Sequence, residues 1–195
     1  MRAQAHTLEA FVAGLLVLSG IVFALQTTAV TPLSASTSNQ HVGNQQRTAA
    51  TGVLDAAAAN GTLRDAIVDW NASEGTFTGA SGEGYRNAGP PNPFGHALNR
   101  TFGDQRTAFN VDLYWTDNGT TAGPRALVDM GTPSDDATVA SRNVVLYNDT
   151  RLSGPSSVTV AEAQTNASTT FYAPDAARGQ RLFNVVEVRI TVWRI

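Results

Sequence analysis

The longest uninterrupted apolar pattern lies near the start of the chain. From Ala10 to Leu25 the sequence reads AFVAGLLVLSGIVFAL, with no charge and one Ser. Widened to Leu8 and Val30, the stretch carries a single charge, Glu9, at its edge. About 20 apolar residues cross a bilayer core as a helix, so the pattern predicts a transmembrane helix over residues 8–30. Arg2 lies on its N-terminal side, and the next basic residue is Arg47. Positive charge marks the cytoplasmic flank of a span. Residues 1–7 are therefore expected inside the cell. Everything past about residue 30 is expected outside, as the extracellular part of a single-pass protein of the cell membrane.

Pro32 is expected to kink or interrupt the helix as it leaves the bilayer. Residues 31–60 then read as an extracellular stalk. Ala35, Val42, Ala49 and Ala56 recur at a seven-residue spacing with Val53 beside them, which fits a helix packed on a domain or on sister helices. Helix is expected for Asn44–Ala59, with Asn60-Gly61 as its stop; residues 34–43 stay open between helix and linker. The remainder, 61–195, reads as one head domain. A short helix starts at Thr62, with Thr62 and Asp65 as a capping-box-like pair and Leu63, Ile67 and Trp70 on one face. Gly and Pro break up 71–92, and 96–102 reads as a helical turn or an irregular approach to a strand. The period then becomes two. Phe109, Val111, Leu113 and Trp115 alternate with polar neighbours, and Arg142–Tyr147 and Leu182–Trp193 follow the same rule. Arg125–Met130 is expected to pair back on the first of these strands across a loop of about nine residues, and Ser157–Val160 is a short fourth strand. The fold class expected is α+β: a long N-terminal helix, transmembrane and then extracellular, packed on an antiparallel sheet.

Composition narrows the chemistry. Charged residues make up 15% of the 195 residues, against about 25% in ordinary soluble domains. A net charge of −3 and the lack of any Arg cluster exclude a nucleic-acid partner. With no Cys there is no disulfide, thiol chemistry or Cys-ligated zinc. The 13 basic residues are all Arg, which removes lysine Schiff bases and the P-loop lysine. His6, His41 and His96 are too scattered to converge as metal ligands, and no nucleophile elbow or nucleotide-binding glycine motif occurs. Asp117-Asn118-Gly119 and Asp135-Asp136 read as turn acids. Paired carboxylates of the glycosidase kind stay open, because pairing is a three-dimensional property. No cofactor and no catalytic residue is expected. Six Asn-X-Ser/Thr acceptor sites, at Asn60, Asn71, Asn99, Asn118, Asn148 and Asn166, exceed the two or three expected by chance.

Three readings compete for the N-terminal run: a removed signal peptide, a plain anchor, and a segment trimmed just ahead of its apolar core. Glu9 separates them, since a carboxylate at the mouth of an apolar core is costly unless it has a role. Small residues Ala10, Ala13, Gly14, Ser19, Gly20 and Ala24 also line the run and let helices approach closely. The sequence Met1-Arg-Ala-Gln-Ala-His-Thr-Leu-Glu-Ala-Phe11, followed by that run, resembles the class III signal of type IV pilins and archaellins. It is similar to pilin-like membrane proteins of halophilic archaea. The resemblance covers residues 1–46 and implies a pilin-like head. It also implies removal of a short basic leader by a prepilin peptidase, after Ala3 to expose Gln4 or after Gln4 to expose Ala5. The helix would then pack against other pilin-like subunits with help from a pilus-assembly platform, Glu9 acting in assembly. The function it implies is a non-catalytic, membrane-anchored accessory subunit of a surface filament, with the lipid bilayer as a further partner. The rivals are an anchored surface binding module and an anchored extracellular hydrolase.

Overall fold

The computed structural model describes residues 2–103, 106–153, 158–166 and 168–195, with the side chains of 2–8 and 26–39 outside the described set. The chain divides into two units, Met1–Val42 and Gly43–Ile195. Helix α1 (Arg2–Ala59) runs through both, continuing past Pro32. In the second unit follow α2 (Thr62–Ile67), β1 (Trp70–Asn71), β2 (Thr76–Phe77), α3 (Pro93–Phe102), β3 (Thr107–Asp117), β4 (Thr120–Val128), β5 (Thr138–Tyr147), α4 (Val160–Thr165) and β6 (Leu182–Arg194).

The N-terminal expectation is overturned. Among the described residues no helix is long and apolar enough to cross a membrane. The apolar run Ala10–Leu25 is followed by Gln26, Thr27 and Thr28. Its sixteen residues at 1.5 Å each reach about 24 Å, short of a core of about 30 Å. The single-pass anchor, with its cytoplasmic N-terminus and extracellular C-terminal domain, is therefore not supported. Nor does a transmembrane-then-extracellular helix lie along a pilin-like head. Only the stretch of α1 from Gly43 belongs to the sheet-bearing unit.

That unit is mixed α+β around a four-stranded antiparallel sheet in the order β4-β3-β6-β5. The last strand in sequence thus occupies an interior position. Its alternation is strict: Val186, Val188, Ile190 and Val192 are fully buried, while Val185, Glu187, Arg189 and Thr191 face outward and are half-exposed. Across the sheet Val111 and Leu113 from β3 and Val144 and Leu146 from β5 complete the dry face. Over it lies α1, through Ala50, Val53, Leu54 and Ala57. This stripe is one position away from the expected Ala49–Ala56 line. Leu54 offers the larger apolar surface, and Ala56 is left exposed.

Two elements form where the sequence pattern pointed elsewhere. The β3–β4 connection is a two-residue turn, Asn118-Gly119, both with positive φ (48° and 79°). Asn-Gly favours this conformation and it matches strand twist. β4 therefore starts at Thr120, well before the expected Arg125. Of the expected strand Ser157–Val160, Ser157 lies outside the described residues, Thr159 forms a single bridge with Arg151, and α4 begins at Val160. There Thr159 and Glu162 form a reciprocal capping box. Asn92 caps α3 by accepting from the Gly95 backbone N–H, with Pro93 at the first helical position. α2 has no side-chain cap, since Gly61 rather than Thr62 precedes it. Trp70, expected on that helix, sits in β1.

An aromatic cluster fastens β1–β2 to the sheet. The Trp70 ring meets Phe77 and Tyr172 edge-on at centroid distances of 5.1 and 5.3 Å. Its Nε1–H donates to the Thr170 carbonyl at 2.7 Å, and the Arg125 guanidinium lies 4.9 Å from the ring centroid. The hydroxyl of the half-buried Tyr172 donates to the Ile67 carbonyl at 3.0 Å, and desolvation raises its pKa well above the ordinary value. Polar satisfaction inside the sheet falls to Asn184, which is fully buried. Its Nδ2 donates to the carbonyls of Thr116 and Pro174, and its Oδ1 accepts from the Thr116 backbone N–H at 3.1 Å. Asn184→Ala removes the side-chain partner of these half-buried backbone groups at Thr116 and Pro174. The expected cost is about 2–4 kcal/mol in urea unfolding; a change below about 0.5 kcal/mol would mean that Asn184 is not the clamp.

Candidate functional site

Two surfaces carry chemistry that the fold itself does not consume. The first is the helix stretch 9–25. Phe11, Leu16 and Phe23 are each 69% exposed, and Val12, Leu15, Val17, Leu18, Ile21 and Val22 range from 47% to 66%. Large apolar side chains thus point to every side, whereas a helix of a soluble unit shows one apolar stripe and one polar face. At heptad spacing Ala10, Ala13, Val17, Gly20 and Ala24 make a seam of short side chains. Gly14 and Gly20 have open space where a Cβ would stand. A mid-helix glycine costs about 1 kcal/mol relative to alanine, and no contact within this unit requires one at either position. Glu9 stands exposed at the head of the stretch. The expected processing junction, Ala3, Gln4 and Ala5, lies outside the residues whose side chains are described.

The second surface is the outward face of the sheet. Register places Asp112 opposite Arg189 and Tyr114 opposite Glu187, with Asn143 on the far side of Glu187. The Arg189 guanidinium lies 4.2 Å from the Tyr114 ring centroid and donates to the Glu187 carboxylate at 3.2 Å. A depression of about 210 Å³ adjoins this row, lined by Tyr114, Trp115, Asn143, Val185 and Glu187 among others. Partial burial raises the Asp112 pKa. The neighbouring Asp129 raises it further, and Arg189 opposes both. Sequence reading overlooked this row because its members are scattered over three strands, and only the register brings them together.

Neither surface assembles a nucleophile with a base. Among the described residues no group of three or more His, Asp or Glu side chains could hold a metal ion, and His41 and His96 are exposed and far apart in sequence. The six acceptor asparagines separate by exposure. Asn60, Asn118 and Asn166 are exposed, whereas Asn71, Asn99 and Asn148 are half-buried.

The raised pKa of Asp112 has a signed consequence. The folded state holds its proton more tightly than the unfolded chain does. Stability from this group is therefore full below the ordinary Asp value of about 3.9 and is lost as pH rises through the raised folded value. Asp112→Asn should raise the melting temperature at pH 7. It should also flatten the part of the stability curve between the acid range and neutrality that this carboxyl produces. Thermal unfolding across pH 4–7 checks it; a lower melting temperature at pH 7 would show that the Arg189 attraction outweighs burial.

A family model described as "Family of unknown function (DUF7288)" matches residues 2–192, taking in both the apolar helix and all four strands of the sheet. No curated protein and no solved structure matches the chain. By the extent of that match, the chain belongs to this family of unknown function.

Proposed function

We propose that this chain is a non-catalytic assembly subunit that joins pilin-like partners, including copies of itself, through its N-terminal apolar helix. One observation carries the reading: nine large apolar side chains between Phe11 and Phe23 are 47–69% exposed around the whole helix. Full burial of such a side chain is worth about 1.5–3 kcal/mol, so the stretch gains heavily from close neighbours. The short-side-chain seam, in which Gly20 has open space where a Cβ would stand, allows those neighbours to approach closely. The family match spans helix and sheet together. The resemblance of residues 1–46 to the pilin class III signal points the same way. Trimming after Ala3 or Gln4 would free an α-amine to neutralise Glu9 of an adjacent subunit.

The absence of cysteine gives a clean background for testing. Single cysteines introduced as Ala13→Cys, Val17→Cys or Gly20→Cys should form disulfide-linked dimers on mild oxidation of the assembled protein. Ser81→Cys, on an exposed loop of the other unit, should stay monomeric. Equal yields at Val17 and Ser81 would overturn the reading. In the same assay Glu9→Gln should weaken assembly, because removing one partner of a buried pair costs about 3–5 kcal/mol, while thermal unfolding of the sheet-bearing unit stays unchanged. Normal assembly of that variant would remove Glu9 from the mechanism. Intact mass of the assembled protein should show loss of Met1–Ala3 or Met1–Gln4; a full-length chain in the assembly would rule out trimming.

A further inference from the structure

The six acceptor sequons are not equivalent, and their geometry sorts them independently of the assembly reading. We infer that Asn60, Asn118 and Asn166 are N-glycan acceptors and that Asn71, Asn99 and Asn148 are poor ones. The chemistry requires a reachable amide. Asn Nδ2 attacks the anomeric carbon of a sugar donor activated as a phosphate or pyrophosphate ester. The C–N bond forms as the C–O bond to phosphate breaks, the phosphate leaves with the electron pair, and the amide proton passes to a base of the transferase. A transferase must close around both the amide and the hydroxyl two residues on, so both need to stand clear of the fold.

Asn118 meets this condition best. It lies at the tip of the β3–β4 hairpin, and Asn118, Gly119 and Thr120 are all exposed. The Thr120 hydroxyl donates back to the Asp117 carbonyl at 2.8 Å, which holds it in the same turn as the amide. Asn60 follows. Its amide is exposed just past the end of α1 while Thr62 is half-buried, so it meets the condition less fully; its Oδ1 accepts from the Thr62 backbone N–H at 3.0 Å and from the Thr62 hydroxyl at 2.6 Å. Both bonds go through Oδ1 and not through Nδ2, the atom that would react. Asn166 is exposed beyond α4, and its Oδ1 accepts from the Ser168 N–H at 2.9 Å.

Of the other three, Asn148 is held through its Nδ2, whereas Asn99 and Asn71 are set apart by their half-burial within α3 and β1 rather than by their Oδ1 bonds. Asn148 already donates its Nδ2 to the Gln180 carbonyl at 2.8 Å, and its Oδ1 is buried. Asn99 lies within α3, where the helix fixes its backbone, and its Oδ1 accepts from the Gly89 N–H at 2.8 Å. Asn71 lies in β1, half-buried, with its Oδ1 accepting from the Ser73 and Glu74 N–H groups.

A lysine-free chain makes the test direct. Cleavage after arginine places each sequon in its own peptide: 48–64, 65–86, 87–100, 107–125, 143–151 and 152–178. Protein isolated from its native host is digested, and the glycan-bearing fraction of each peptide is measured by mass spectrometry. Expected is glycan on 107–125, 48–64 and 152–178, each with occupancy at least severalfold above that of every other sequon peptide. Glycan on 87–100 or 143–151 at a level matching any of the exposed three overturns the sorting, and unmodified peptides throughout overturn the inference altogether. Asn118→Gln should remove one glycan mass from the intact protein, whereas Asn99→Gln should leave that mass unchanged apart from the substitution.

Discussion

The sheet-bearing unit rests on the need to keep one face of its interior C-terminal strand dry. Val186, Val188, Ile190 and Val192 lose all contact with water only when β3 and β5 flank them and α1 lies above. A period of exactly two leaves no slack, because a slip of one residue would send these four outward and bring Glu187 and Arg189 in. The other elements answer to that requirement. α1 meets this face with Ala50, Val53 and Ala57 beside the larger Leu54. Trp70, Phe77 and Tyr172 close the gap that the short β1–β2 ribbon leaves. Asn184 serves the polar backbone groups where the β3 ladder runs out.

The residues nearest the dry face were the easiest to read from sequence. β6 and β3 show the alternation in full, so their existence and facing follow from the pattern alone. Misreadings cluster where a local signal competes with a stronger-looking neighbour. Gly123-Pro124 inside β4 reads as a break, yet an edge strand tolerates proline where its missing N–H faces away from the ladder. The Asn118-Gly119 turn then passes for part of a long loop. Thr159-Val-Ala-Glu162 is a helix start, hidden behind the β-branched look of 157–160. Asn92-Pro93 announces α3 as well, but it sits among glycines that suggest no regular structure. The N-terminal run misled in another way. Its composition implies a span over residues 8–30, while the apolar part ends at Leu25 and Gln26, Thr27 and Thr28 follow.

The candidate surfaces were legible to different degrees. The exposed apolar helix is written in the residue order itself, so both its position and the placement of Glu9 could be read directly. Sequons are equally plain as motifs, but their accessibility is not: Asn148 and Asn118 look alike until Gln180 is found holding one of them. That Asp112, Tyr114, Glu187 and Arg189 face outward follows from the alternation, but which of them meet is a product of strand register.

The two margins of the sheet are finished differently. Beside β4, the Tyr85 backbone donates to the Leu127 carbonyl and accepts from the Asp129 N–H, so that margin is already occupied at its core end. Beside β5, among the described residues, no strand follows. There Arg142 takes an inward position and reaches Asp55 of α1 at 2.6 Å, both half-exposed. A charge turned inward on an outer strand discourages a visitor from pairing there, yet an ion pair so open to water holds with only about 0–1 kcal/mol. The sheet is thus sealed on one flank and merely latched on the other, and any lengthening of it would begin by undoing that latch.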